Sequence, residues 1–237
     1  MRRYVFNPFT TLMLLLLGGI LLLVVVLLFL SLIGFTFAKL GFSPGQVFLL
    51  LLLTFAGSFV NIPLTTVCCG PIVMETRYDR FFGMFYRIPV ITPTTTIAVN
   101  VGGAVIPILI SLYLLFRSLS LAGGTVVLAL TFVAMLLVAA VTHVTSRPVR
   151  GLGITTPFFI PPLAALVCGL FFSAAIGSPQ MAAPVIAYAG GTLGTLLGAD
   201  ILNLHRIRDL GAPLVSIGGA GTFDGIFLTG LIAAFLA

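Results

Sequence analysis

Ser216-Ile-Gly-Gly-Ala-Gly-Thr-Phe-Asp-Gly-Ile-Phe-Leu-Thr-Gly230 sets a single carboxylate, Asp224, inside an otherwise apolar closing segment. A charged Asp near the middle of a membrane helix costs roughly 2.5 to 3.5 kcal/mol even on lenient insertion scales, so it needs a compensating structure or a use. The preceding apolar segment, 190–204, carries a second acid, Asp200. If the two helices are neighbours, two acids share a sparsely hydrated interior. The functional reading turns on that pair.

Working outward, 60% of the 237 residues are hydrophobic and 7% are charged, with a mean hydropathy of +1.29. Soluble domains carry roughly 25% charged residues. The chain therefore reads as an all-α, polytopic transmembrane helix bundle, a single integral membrane domain over 1–237 whose partner is the lipid bilayer of the cell membrane. Seven spans are expected, at about 9–37, 46–66, 94–116, 125–144, 155–176, 181–204 and 213–236. Arg2 and Arg3 precede an apolar run too long for a secretory leader, which reads as an uncleaved first helix.

The basic residues test the count. With the N-terminus cytoplasmic, Arg2, Arg3, Arg77, Arg80, Arg87, Arg147, Arg150, Arg206 and Arg208 fall inside, and only Lys39 and Arg117 outside. This bias predicts an N-terminus in the cytoplasm and a C-terminus outside. The net charge of +6 is spread over segment ends, with no stripe that would suit nucleic acid. Cys68, Cys69 and Cys168 lack metal-ligand spacing, and no P-loop, dinucleotide fingerprint or His-rich metal motif occurs. No cofactor and no metal is expected.

The longest connection, 71–93, interleaves Arg77, Arg80 and Arg87 with Tyr78, Phe81, Phe82, Phe85 and Tyr86, a mixture suited to the cytoplasmic membrane surface. Ser43-Pro44 and Ser178-Pro179 read as helix starts. Asn61-Ile62-Pro63, Asn100-Val101-Gly102-Gly103 and Pro157, Pro161 and Pro162 interrupt apolar segments, and such breaks persist in lipid only where freed backbone groups find protein or water. Val101-Gly-Gly-Ala104 also echoes Ile217-Gly-Gly-Ala220.

Two carboxylates held within a few ångström do not both ionise easily, and such a pair tends to share a proton, one group serving as general base toward water and the other as general acid toward a carbonyl. Asn100, Asn203, Gly219, Gly221 and Thr222 are the candidate substrate-binding residues around that pair. Each also has a structural reading. Asn203 lies three residues beyond Asp200 on one helical face and would hydrogen-bond it, while the glycines permit close helix packing.

The chain resembles a family of uncharacterised prokaryotic polytopic membrane proteins, catalogued as a domain of unknown function. Ser146-Arg-Pro-Val-Arg-Gly-Leu-Gly-Ile154, Gly194-Thr-Leu-Leu-Gly-Ala-Asp-Ile-Leu-Asn-Leu204 and Ser216–Gly230 carry the resemblance. Its last two segments are also distantly similar to the intramembrane aspartyl proteases (presenilin, signal peptide peptidase and the prepilin peptidases), whose second catalytic Asp follows Gly-x-Gly. Here two extra residues separate Gly221 from Asp224, Ala199 replaces the Tyr before the first acid, and no Pro-Ala-Leu follows the second. That similarity implies a catalytic dyad of Asp200 and Asp224 acting on a transmembrane peptide. The alternative is a secondary transporter or ion-coupled carrier that uses the same acids and broken helices for a small solute or ion. A third reading is a scaffold in which both acids bond structurally.

Overall fold

Pro8–Lys39, 32 residues without an acid, form α1, about 48 Å long at 1.5 Å per residue. Its apolar side chains from Phe9 to Leu28 are exposed, and Phe29, Leu32, Ile33 and Phe37, with Leu40 just beyond the helix, reach the protein core. The computed structural model describes residues 8–68, 78–81, 84–87, 94–120, 123–149, 153–177, 179–209, 212–221 and 224–237. Ser43 starts α2 (Pro44–Gly57) with a reciprocal capping box: Gln46 N–H donates to Ser43 Oγ, and Ser43 N–H donates to Gln46 Oε1 at 2.8 Å. The other helices are α3 (Ile106–Leu119), α4 (Gly124–Thr145), α5 (Ile160–Ala175), α6 (Pro179–Thr195) and α7 (Gly225–Leu236).

Four helical stretches, Phe9–Lys39, Val101–Leu119, Gly124–Thr145 and Ala182–Ile207, are long and apolar enough to cross a membrane. Pro44–Gly57, Ile160–Ala175 and Gly225–Leu236 are apolar but shorter. The expected spans lose length because part of their apolar sequence is strand. Asn61–Cys68 forms β1, Thr94–Asn100 β4 and Leu214–Ile217 β7, all within stretches expected to be helical. Inside a helix Pro63 would forfeit a hydrogen bond and clash with the preceding turn, and the β-branched residues of Thr65-Thr66-Val67 and Thr94-Thr-Thr-Ile97 fit a pleated surface better than a helical turn. The chain is thus mostly helical, as expected, but it is not all-α.

β1 pairs antiparallel with β4, with an irregularity between Pro63 and Thr65, and β4 pairs parallel with β7 in the register Thr96 to Leu214 through Val99 to Ile217. Among the described residues two hairpins complete the strands, β2 (Tyr78–Phe81) with β3 (Met84–Arg87), and β5 (Arg147–Val149) with β6 (Gly153–Thr155). Most of the 71–93 segment expected at the membrane surface lies outside the described residues.

The bundle is built around α6, whose residues 182–192 are all buried. Glycines let its neighbours approach. Gly190, Gly194 and Gly198, spaced by four, lie against Ala134, Val138 and Ala139 of α4, and Gly191 lies against Ala165 of α5 and Thr229 of α7. Helices that meet in lipid gain from this closeness, because packing replaces the hydrophobic drive that water would supply. Tyr188, Phe37, Phe227, Ile110 and Leu231 fill the largest apolar cluster.

The two cations expected outside serve carbonyl groups at helix ends. Arg117 donates to the carbonyls of Leu40 and Gly41 past the end of α1, with Phe42 and Tyr113 beside its guanidinium. Lys39 donates to Phe235 O near the end of α7 at 3.3 Å. Positive charge is favourable at a helix C-terminus, where the last carbonyls lack partners. The C-terminal ends of α1, α3 and α7 therefore meet, and the three-stranded sheet stands where α3 and α7 begin.

Candidate functional site

The helix that carries Asp200 does not end cleanly. After Thr195 it widens into a π-type turn, Leu196–Asp200, and then tightens into a 3-10 segment, Ile201–Asp209. Such a change of pitch frees carbonyls, and wide turns of this kind recur at functional sites. Fully buried Asn203 answers the freed groups, its Nδ2 donating to Gly198 O and Ala199 O, both at 3.0 Å. Asn203 therefore binds backbone and not Asp200, as the one-face spacing had led us to expect. Asp200 is left half-buried with no hydrogen bond to its carboxylate among the described residues.

Asp224 is fixed from the other side of the chain. It is the N-cap of α7: Ile226 N–H donates to its Oδ1 at 2.9 Å, and Ala220 N–H approaches Oδ2 at 3.4 Å. The loop that delivers it is a chain of tight turns in which Gly219 N–H donates to Ser216 O, Gly221 N–H to Gly218 O, and Asp224 N–H to Gly221 O. Gly218 and Gly221 have φ of +70° and +63°, a left-handed backbone that favours glycine.

The glycine echo of the sequence becomes a contact. Val101–Val105, a second π-type turn, follows β4 as the 218–221 loop follows the parallel β7, and a Cβ on Gly218 would stand 2.7 Å from Gly103 C and Ala104 N. Asn100 pins this crossing. Its Nδ2 donates to Ser58 O (2.8 Å) and Asn61 Oδ1 (3.0 Å), its Oδ1 accepts from Gly103 N–H (2.8 Å), and Ser216 Oγ donates to Asn61 Oδ1 at 2.6 Å. Close approach of two glycine backbones at the feet of α3 and α7 thereby sets the height of the Asp224 loop.

Between these parts lies a cavity of about 370 Å³ lined by Asp200, Asp224, the run Leu214–Ala220, and Ile154, Leu204, Ile207 and Ala212. The two acids line one space. Of the candidate binding residues, Gly219 lines the cavity. Asn100, Asn203 and Gly221 do not line it, Gly221 lies against Ser58, and Thr222 lies outside the described residues. Sequence reasoning missed Ile154, Leu204 and Ile207, which supply apolar walls. The signal was present in part, because the 146–154, 194–204 and 216–230 stretches each send residues to this cavity. No group of three or more metal-ligating side chains occurs among the described residues.

Chemically, the arrangement offers two carboxyl groups that line a small space, one firmly positioned and one without hydrogen bonds among the described residues, next to a strand. A family model described as "Protein of unknown function (DUF1614)" matches residues 55–236, which includes every residue of the cavity. No curated protein and no solved structure matches the chain.

Proposed function

The chain belongs to the DUF1614 family, and from the geometry of its site we propose that it is an intramembrane aspartyl hydrolase that cleaves peptide bonds with Asp200 and Asp224. The observation that carries this reading is the shared cavity, to which two acids from separate segments bring their carboxylates. In the reaction the ionised carboxyl removes a proton from water as the water oxygen bonds to the peptide carbonyl carbon, and the protonated carboxyl gives its proton to the carbonyl oxygen. The resulting gem-diol collapses: the C–N bond breaks as the amine takes a proton from the first carboxyl, and the second carboxyl takes one hydroxyl proton back, which leaves a carboxylic acid and restores the starting pair.

The protein is a multi-pass protein of the cell membrane with seven spans, its N-terminus cytoplasmic and its C-terminus outside. The nine-to-two distribution of basic residues supports that orientation. The short last span also fits. α7 contributes about 18 Å and β7 about 13 Å, enough end to end for a hydrocarbon core about 30 Å thick.

The test is cleavage of membrane-spanning Leu/Ala peptides in proteoliposomes by the full chain, compared with Asp200→Asn and Asp224→Asn. Cleavage is expected to fall at least a hundredfold in each variant. Equal cleavage by all three proteins refutes the proposal. One feature favours a second reading, an ion-coupled carrier: the acid-bearing helix is interrupted at Asp200, as carrier helices are at their ion sites. Proton flux in vesicles that survives in wild type and disappears in Asp200→Asn, without peptide cleavage, would select it.

A further inference from the structure

The cavity touches β7 in an unusual way. Successive side chains of a strand point to opposite faces, yet Leu214, Val215, Ser216 and Ile217 all line the same space. A cavity reached by four consecutive residues lies along the edge of the strand. The hydrogen-bond register agrees. Thr96 N–H donates to Pro213 O, so Pro213, Val215 and Ile217 turn their backbone groups toward β4, and Leu214 and Ser216 turn theirs away. Ser216 O is taken by Gly219 N–H. Leu214 N–H, Leu214 C=O and Ser216 N–H are left on the cavity side with no partner among the described residues. In the sheet order β1-β4-β7, β7 is an outer strand.

An open strand edge is costly at membrane depth, where each unpaired backbone group loses several kcal/mol unless water or another backbone meets it. We infer that the free edge of β7 is the substrate-docking element, which takes an apolar polypeptide segment in extended form as an added strand and leads it toward Asp200 and Asp224. This rests on the hydrolase reading and supplies the way its substrate docks. Backbone pairing gives affinity without demanding a particular sequence, and alternate side chains fill pockets beside the edge. Here the pocket walls are Ile154, Leu204 and Ile207, so the side chains accepted are apolar. Beyond Ile217 the chain turns through Gly218–Ala220 to Asp224, which sets that acid past the end of the docking edge, and Asp200 lines the same cavity. A helical substrate would present no free N–H or C=O to this edge, so it must unwind locally before cleavage.

Cysteine cross-linking in proteoliposomes tests the inference. The full chain carries Leu214→Cys, with Cys68, Cys69 and Cys168 replaced by alanine and both acids changed to Asn to prevent cleavage. The probes are Leu/Ala peptides with lysine ends and a central Gly-Pro that loosens the helix, each with one Cys at successive central positions. Disulfides are expected at every second probe position, because paired strands place alternate side chains on one face. A Val215→Cys protein should cross-link to the intervening positions, and it guards against a defect peculiar to one variant. No cross-linking in either protein, or a spacing of three to four residues, overturns the docking mode. The same probes are offered in parallel to the protein with both acids intact. Cleavage without alternating cross-links removes the docking mode and leaves hydrolysis standing. Alternating cross-links without cleavage support the docking edge and remove the hydrolase.

Discussion

Replacing Gly218 by alanine tests the idea that glycine contact at the feet of α3 and α7 sets the Asp224 loop. Two separable costs follow from the geometry. The first is conformational: φ at Gly218 is +70°, and a Cβ in the left-handed region costs about 1–2 kcal/mol. The second is steric. The new methyl carbon would sit 2.7 Å from Gly103 C and Ala104 N, and 2.8 Å from Ala104 Cβ, where ordinary contact begins at 3.4 Å. The two backbones must part by about 0.7 Å, and overpacking of this kind typically costs about 1–3 kcal/mol. Gly177→Ala is the matched control, since its φ is +67° and nothing stands within 4 Å of its Cβ. Both substitutions restrict the unfolded chain alike, which returns about 0.4–1 kcal/mol in each. The expected loss is therefore about 1 kcal/mol for Gly177→Ala and about 2–4 kcal/mol for Gly218→Ala. Helicity followed through denaturant unfolding in detergent micelles measures both. Equal losses would refute the steric part and with it the claim that this crossing positions the loop.

Two further outcomes are expected. Asp224→Ala should lose about 0.5–2 kcal/mol of stability with the N-cap, whereas Asp224→Ser should keep the cap and most of that stability while abolishing cleavage; a Ser variant that still cleaves at the wild-type rate would separate Asp224 from the chemistry. The Tyr188 hydroxyl is buried with no hydrogen-bond partner among the described residues, so Tyr188→Phe should be neutral or stabilising by up to about 1 kcal/mol. A clear loss on thermal unfolding would reveal a partner that the packing does not show.

Much of the site was legible early because a lone acid in an apolar segment is conspicuous whatever the fold. Asp200 and Asp224 could be paired on chemistry alone. The roles of the amides could not, since an amide satisfies whatever backbone group lies nearest. Asn203 was assigned to the acid beside it in sequence, but the widened turn released two carbonyls that claimed it first. Asn100 likewise serves the crossing at Ser58, Asn61 and Gly103. The four-residue spacing of Gly190, Gly194 and Gly198 stands in the sequence, but among 26 glycines it was not singled out, and only the fold shows that it faces α4.

Composition points to lipid as the surroundings of this chain. Many apolar residues with few charges suit a bilayer, and a bilayer favours mostly helical, internally bonded segments. The tertiary structure alone decided where those helices stop. Hydropathy measures transfer and is blind to pleat, so strands such as Thr94–Asn100 and Leu214–Ile217 read as membrane helix until a neighbouring strand is present to accept their hydrogen bonds. A strand edge exists only relative to other strands, and for that reason the outer side of β7 among the described residues, beside the cavity, had no counterpart in the linear chain.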